Sequence, residues 1–136
     1  MERVLLVRVP ASAAHYGGGL VDGAFVLRLF GDALTFVSCR DDGDEGLLAS
    51  YVDVQFSEPV SPGDFLAIAC GEESRTRLSR TYSLVATRQG RLRKGQARAS
   101  AAEARMEVGP AIATATARVV VPVAAVREAE SRAPRS

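Results

Sequence analysis

The sequence predicts an α+β fold: a curved, five-stranded antiparallel sheet wrapped around one long central helix. Three observations lead there. The stretch from Leu20 to about Cys39 has helical spacing and is apolar on nearly every face, so it should be buried nearly all round. One strand-like run precedes it and four follow, separated by turn residues, which favours antiparallel neighbours with the helix against one face. The chain has 136 residues, 47% hydrophobic and 24% charged, which suits a single globular domain.

The elements follow in order. Arg3 to Val9 is a run of aliphatic and β-branched residues ended by Pro10, hence a strand. His15-Tyr16-Gly17-Gly18-Gly19 then forms a loop in which three glycines allow unusual dihedrals or close approach of a ligand. In the helix, Leu20, Val21, Ala24, Leu27, Phe30, Leu34 and Val37 recur at three and four, while Asp22, Arg28 and Asp32 are its charges. Asp41-Asp42-Gly43-Asp44-Glu45-Gly46 is an acidic turn. Leu47 to Phe56 alternates, with Leu48, Val52, Val54 and Phe56 facing a core, and Phe65 to Cys70 is the next strand. The Pro, Gly and Asp between them predict a hairpin.

Arg80 to Arg88 alternates again, with Tyr82, Leu84 and Ala86 on one face. Gln89 to Val108 reads as a long basic loop with a short helix around Ala99–Met106. Pro110 to Val123 is the last strand, where Ala111, Ala113, Ala115 and Ala117 let a helix approach closely. The domain is expected to span 1–123, with a polar, frayed tail at 124–136. A strongly curved sheet around one helix is the hotdog arrangement.

Composition excludes several classes. A net charge of +1 leaves no electrostatic footprint for nucleic acid. No apolar run reaches the roughly 18 residues of a membrane span, and the N-terminus lacks the features of a secretory signal, so a cytoplasmic location is expected. Cys39 and Cys70 stand far apart, and with one His in the chain no metal site is expected. No Walker loop or dinucleotide fingerprint occurs.

His15-Tyr16-Gly17-Gly18-Gly19-Leu20-Val21-Asp22-Gly23-Ala24, Leu27, Leu29-Phe30-Gly31-Asp32 and Asp42-Gly43-Asp44-Glu45-Gly46-Leu47 together resemble the 3-aminobutyryl-CoA and β-alanyl-CoA ammonia-lyase family of small hotdog enzymes. Glu58-Pro59-Val60, Gly63-Asp64-Phe65, Ser79-Arg80 and Pro110-Ala111-Ile112 through Val121-Pro122 extend the resemblance over Val7 to Val123. Two places depart from the pattern. Gly19 stands where a polar side chain, typically Asn, is expected, and Gly71–Leu78 is one residue short and lacks a Gly-Asn-Thr ahead of Ser79-Arg80.

The resemblance implies elimination of ammonia from a β-aminoacyl-CoA, which needs N–H donors for the thioester enolate, a base for the α-proton and an acid or carboxylate for the leaving amine. Gly17, Gly18 and Gly19, taken as running into the helix N-terminus, suit the first task, with Tyr16 and Asp22 beside them; Asp22 alternatively caps the helix. Glu45 or Asp32 is expected as acid/base, with His15 positioning or sharing the proton, since an imidazole titrates near neutral pH. Asp32 reads as the deeper helix carboxylate, or as an ion pair with Arg28. Tyr51 and Tyr82 read as packing residues.

Ser79, Arg80 and Arg75 are expected at the phosphates of coenzyme A, Arg80 foremost, with Arg77, Arg91, Arg93 and Lys94 nearby. Coenzyme A enters as part of the substrate, and no separate cofactor is expected. Family habit implies a homodimer or a hexamer, a trimer of dimers, with sites between subunits. The competing readings are a hotdog acyl-CoA thioesterase, conjugate addition of an amino acid to an unsaturated acyl thioester, and an acyl-thioester-binding protein without turnover.

Overall fold

A computed structural model describes residues 1–90 and 109–134. Five strands, β1 (Glu2–Arg8), β2 (Leu47–Phe56), β3 (Phe65–Arg75), β4 (Ser79–Gly90) and β5 (Ala111–Val120), form one sheet in the order β1-β3-β4-β5-β2. All four pairings are antiparallel. Helix α1 (Gly23–Asp42) lies against the sheet, and a second helix, α2 (Val123–Arg132), closes the chain.

Helix α1 begins and ends where its terminal chemistry dictates. Asp22 is its N-cap and its carboxylate accepts from the Phe25 N–H at 3.2 Å. Gly43 follows the last turn in the left-handed region, where a side chain would be strained. Val26, Leu29, Phe30, Ala33, Leu34 and Val37 supply the buried stripe, with Phe30 and Ala33 fully enclosed. They share one core with the alternate residues Tyr82, Leu84 and Ala86 of β4 and Ala113, Ala115 and Ala117 of β5, so the alanine face expected on the last strand is present from Ala113 onward, while before it a register shift buries Ile112 instead of Ala111.

The opposite side of α1 is open, which corrects the expectation of burial all round. Arg28, Asp32 and Thr35 are exposed, and Phe36 is 49% exposed. One five-stranded sheet does not reach around a whole helix, and the uncovered apolar residues face away from it.

Three further expectations are overturned. First, β2 and β3 are not a hairpin: β2 pairs with β5 at one edge, whereas β3 lies between β1 and β4. The Ser57–Asp64 segment is therefore a crossover to the far side of the sheet, tied down by Ser57 N–H to Ile112 O, Val21 N–H to Val60 O and Gly63 N–H to Val9 O. Second, Leu48, Val52 and Phe56 do not face the core. Register shifts at Leu48/Ser50 and Val52/Gln55, with Asp53 at φ 51°, break the alternation, and Tyr51 and Val54 pack inward instead. Third, the expected tail at 124–136 is largely helical, because Val126 is buried and α2 packs on the end of α1. The loop helix expected at 99–106 lies outside the described residues.

Candidate active site

Two clefts lie beside α1 and the edge strand β2. The first, about 450 Å3, is lined by Leu27, Arg28, Asp32, Glu45, Leu48 and Tyr51, among others. It thus brings together the two carboxylates that the sequence left as alternatives. Asp32 is exposed rather than the deep carboxylate expected, and among the described residues it makes no ion pair with Arg28. The Tyr51 hydroxyl donates to Leu27 O at 3.1 Å. Burial, and secondarily the nearby Asp32 charge, push its phenol above the usual tyrosine range. Tyr51 is thus a wall of the cleft with a polar tip, a role the packing reading missed. The β-bulges that turn it inward leave no mark in the residue alternation.

The acidic turn explains why Glu45 projects into this cleft. Asp42, the last residue of α1, is not a solvated charge: its carboxylate receives Arg80 Nε at 3.1 Å and Nη2 at 3.0 Å, and both side chains are only 6% exposed. Gly43 takes the left-handed conformation that ends the helix. The Asp44 carboxylate accepts from the Gly46 N–H at 2.8 Å. Gly46 is also left-handed, and a Cβ on it would sit 2.6 Å from a Val119 methyl. In the stretch Asp42 to Gly46, only the exposed Glu45 side chain is not used to hold the turn.

The second cleft, about 410 Å3, lies at the N-terminal end of α1 and is lined by Tyr16, Leu20, Asp22, Phe56, Glu58 and Ile112, among others. Asp22 has the capping role foreseen for it. The glycine loop does not run into the helix. Gly17–Gly19 is a separate 3-10 turn with Gly18 at φ 76° and Gly19 at φ 75°, closed by Gly19 N–H to Tyr16 O and Tyr16 N–H to Leu20 O. Leu20, Val21 and Asp22 separate it from the helix because Val21 pairs with Ala14 and Val60. His15 is exposed beside this loop and does not line either cleft. Asp32 stands ten positions after Asp22, about 15 Å along the helix axis, and the cleft that holds Asp32 and Glu45 does not include His15 of the same chain. Glu58, whose Glu58-Pro59-Val60 signature was legible, is a further cleft carboxylate that sequence reasoning did not place at a site.

Arg80 is not a free phosphate ligand. Besides its two donors to Asp42, Nη1 donates to Thr76 O at 2.8 Å and Ser79 O at 3.0 Å. Ser79 is buried, its hydroxyl 2.7 Å from that of Thr76. Arg75 is half-exposed and grips Glu72 at 2.6 Å, and Arg77 pairs with Glu130 at 3.0 Å. Arg91, Arg93 and Lys94 lie outside the described residues. Among the described residues no three His, Cys, Asp or Glu side chains gather as a metal site, and no helix is long and apolar enough to cross a membrane.

Comparison with known proteins bears on this geometry. The β-alanyl-CoA:ammonia lyase from Clostridium propionicum superposes with a TM-score of 0.75 at 27% identity, covering 88% of this chain and 85% of that one. A hexameric hotdog fold thioesterase of Campylobacter jejuni also superposes at 0.75, with 16% identity over 90% of this chain and 84% of its own. This is a hotdog fold. Within it, 68 residues are 52% identical to the 3-aminobutyryl-CoA ammonia lyase of Acetoanaerobium sticklandii, a match spanning 50% of this chain and about half (54%) of that relative's length. No protein-family model matches the chain. The hotdog chain is thus similar in sequence to one ammonia lyase and in structure to another, as the resemblance read from its motifs implied.

Proposed function

We propose that this chain is a carbon–nitrogen lyase that reversibly eliminates ammonia from a β-aminoacyl-CoA. The observation that carries the reading is that one cleft holds both Asp32 and Glu45, each exposed and in no hydrogen bond or ion pair among the described residues, in a chain similar to two ammonia lyases. In the elimination direction Glu45 takes the α-proton, the β C–N bond breaks, the α,β double bond forms, and ammonia leaves and recovers the proton from Glu45. Asp32 holds the ammonium before it departs. Backbone N–H groups beside the thioester carry the enolate charge. Coenzyme A belongs to the substrate, and the reaction calls on no other cofactor.

The site is completed by a second copy. Leu47, Leu48, Val52 and Phe56 leave the β2 edge apolar and exposed, and such an edge needs cover. Antiparallel pairing of two β2 strands sets the Phe56 end of one beside the Leu47 end of the other. That carries the His15 loop of one copy toward Asp32 and Glu45 of its partner. The hexameric hotdog neighbour from Campylobacter jejuni supports a trimer of such dimers, working in the cytoplasm.

The test is to incubate the protein with crotonyl-CoA or acryloyl-CoA and ammonium, and to follow product mass and free thiol. An adduct heavier by one ammonia, without free thiol, is the expected result. Glu45→Gln should then lower kcat about 100- to 10,000-fold, the usual worth of a general acid–base group. Free thiol without the adduct would replace the reading by thioester hydrolysis. An adduct with amino acids but not ammonia would replace it by conjugate addition of an amino acid.

A further inference from the structure

We propose that Arg80 is a positioning residue for Glu45: by gripping Asp42 at the end of α1, it fixes the turn that holds the Glu45 carboxylate in the cleft with Asp32. The inference rests on the reading above for what Glu45 does, but the clamp itself is visible in the geometry. Arg80 spends two donors on Asp42 and two on the carbonyls of Thr76 and Ser79. Those carbonyls belong to the β3–β4 connection, itself closed by Thr76 N–H to Ser79 O and by the paired Thr76 and Ser79 hydroxyls. Arg80 therefore links a rigid hairpin end to the last residue of α1.

Two residues, Gly43 and Asp44, separate Asp42 from Glu45 and Gly46 follows it, and the turn they make has little freedom. Gly43 is left-handed, Asp44 is bonded to Gly46 N–H, and Gly46 is wedged against Val119 and Ser38. A shift of Asp42 is thus transmitted to Glu45 instead of being absorbed. This also gives the Ser79-Arg80 pair a task other than phosphate binding: both side chains are buried.

The test uses the full chain with Arg80→Lys, which keeps the charge but loses the fork, and Asp42→Asn, which keeps the shape. We expect kcat for ammonia addition to crotonyl-CoA to fall about tenfold or more while KM changes by no more than about twofold, because misplacing a reacting group costs rate more than binding. Arg80→Lys should retain more activity than Arg80→Met. Hydrogen exchange at the Gly46 amide should quicken in both variants while that of Leu84 in β4 does not. The core variant Leu66→Ala should lower the melting temperature yet keep kcat well below it, and Glu45→Gln should lose activity with Gly46 exchange unchanged. Wild-type kcat together with wild-type Gly46 exchange in Asp42→Asn would overturn the proposal, and so would a loss carried by KM alone. If the wild type adds no ammonia, the proposed function fails and Gly46 exchange decides the clamp by itself.

Discussion

Arg80 and Arg88 stand eight residues apart on the core-facing row of β4, and each reaches a buried aspartate carboxylate, one in the turn before the edge strand β2 and the other at the far end of the crossover after it. Arg80 holds Asp42, just before the turn that leads into β2. Arg88 sits 3.5 Å from Asp64 and donates to Pro59 O at 2.7 Å, so it holds the crossover that leads away from β2. The two clamps are not equivalent. The crossover is also tied by Ser61 N–H to the Asp64 carboxylate, Val9 N–H to Asp64 O and Gly63 N–H to Val9 O. The turn before β2 is tied by Gly46 N–H to Asp44 and by two arginines on Asp42, of which Arg75 stands off at 3.8 Å and Arg80 supplies the bidentate grip. A strand with little burial of its own can carry a site when its ends are fixed from a central strand, and the end with fewer alternative ties depends more on its arginine.

The largest effect should come from breaking that dependence. Arg80→Met leaves the buried Asp42 carboxylate with only the half-exposed Arg75 at 3.8 Å, and loss of one member of a buried ion pair costs at most about 3–5 kcal/mol. Arg88→Met should cost less, because Asp64 keeps the Ser61 N–H. Urea unfolding of both variants measures the difference directly. Equal losses would show that the two ends of β2 are held alike, and the comparison would fail.

Glycines at the two ends sharpen the same contrast. Gly46, before β2, is at φ 71° and a Cβ there would strike Val119 at 2.6 Å; Gly63, in the crossover, is at φ 89° with open space around it. Gly46→Ala combines left-handed strain with overpacking, a loss of about 2–4 kcal/mol. Gly63→Ala bears the strain alone, about 1–2 kcal/mol. Thermal melts should rank them in that order. Gly46→Ala should also lower activity more than its stability loss explains, because it moves Glu45.

How far the sequence carries this picture depends on how local each signal is. The alternation of Tyr82, Leu84 and Ala86 and the alanines of β5 announce their buried faces because period-two burial is written in neighbouring residues. The β2–β3 hairpin was misread because Pro59, Pro62 and Gly63 make the same turn chemistry whether the next strand returns alongside or crosses the sheet. Arg80 was misread because its partner lies 38 residues away, and nothing local separates a buried arginine from a surface one. In the acidic turn the residue types were legible, but their division of labour was not. Asp42, Gly43, Asp44 and Gly46 fold the turn, and that isolates Glu45 only once the contacts are known. Helix α2 was missed because a polar segment with a single buried valine, Val126, has the composition of a tail.

Tyr82 gives the smallest effect and the cleanest control, since it shares the buried row of β4 with the two arginines but clamps nothing. Its hydroxyl is buried beside the Ser38 hydroxyl, but among the described residues neither makes a well-formed hydrogen bond. Removing an unsatisfied buried hydroxyl is close to neutral or mildly stabilising, so Tyr82→Phe should shift stability by less than about 1 kcal/mol. Burial pushes its phenol up to about 12 from the ordinary 10.0. Above pH 10 the unfolded chain therefore releases this proton while the folded chain holds it, and stability falls as pH rises toward 12. In Tyr82→Phe that alkaline loss should be shallower, whereas Arg80→Met should keep the tyrosine's alkaline loss on top of its own lower baseline. Urea midpoints between pH 9 and pH 11 measure both. A Tyr82→Phe protein destabilised as much as Arg80→Met would mean that the whole β4 row, not the arginine at its end, fixes the turn before β2.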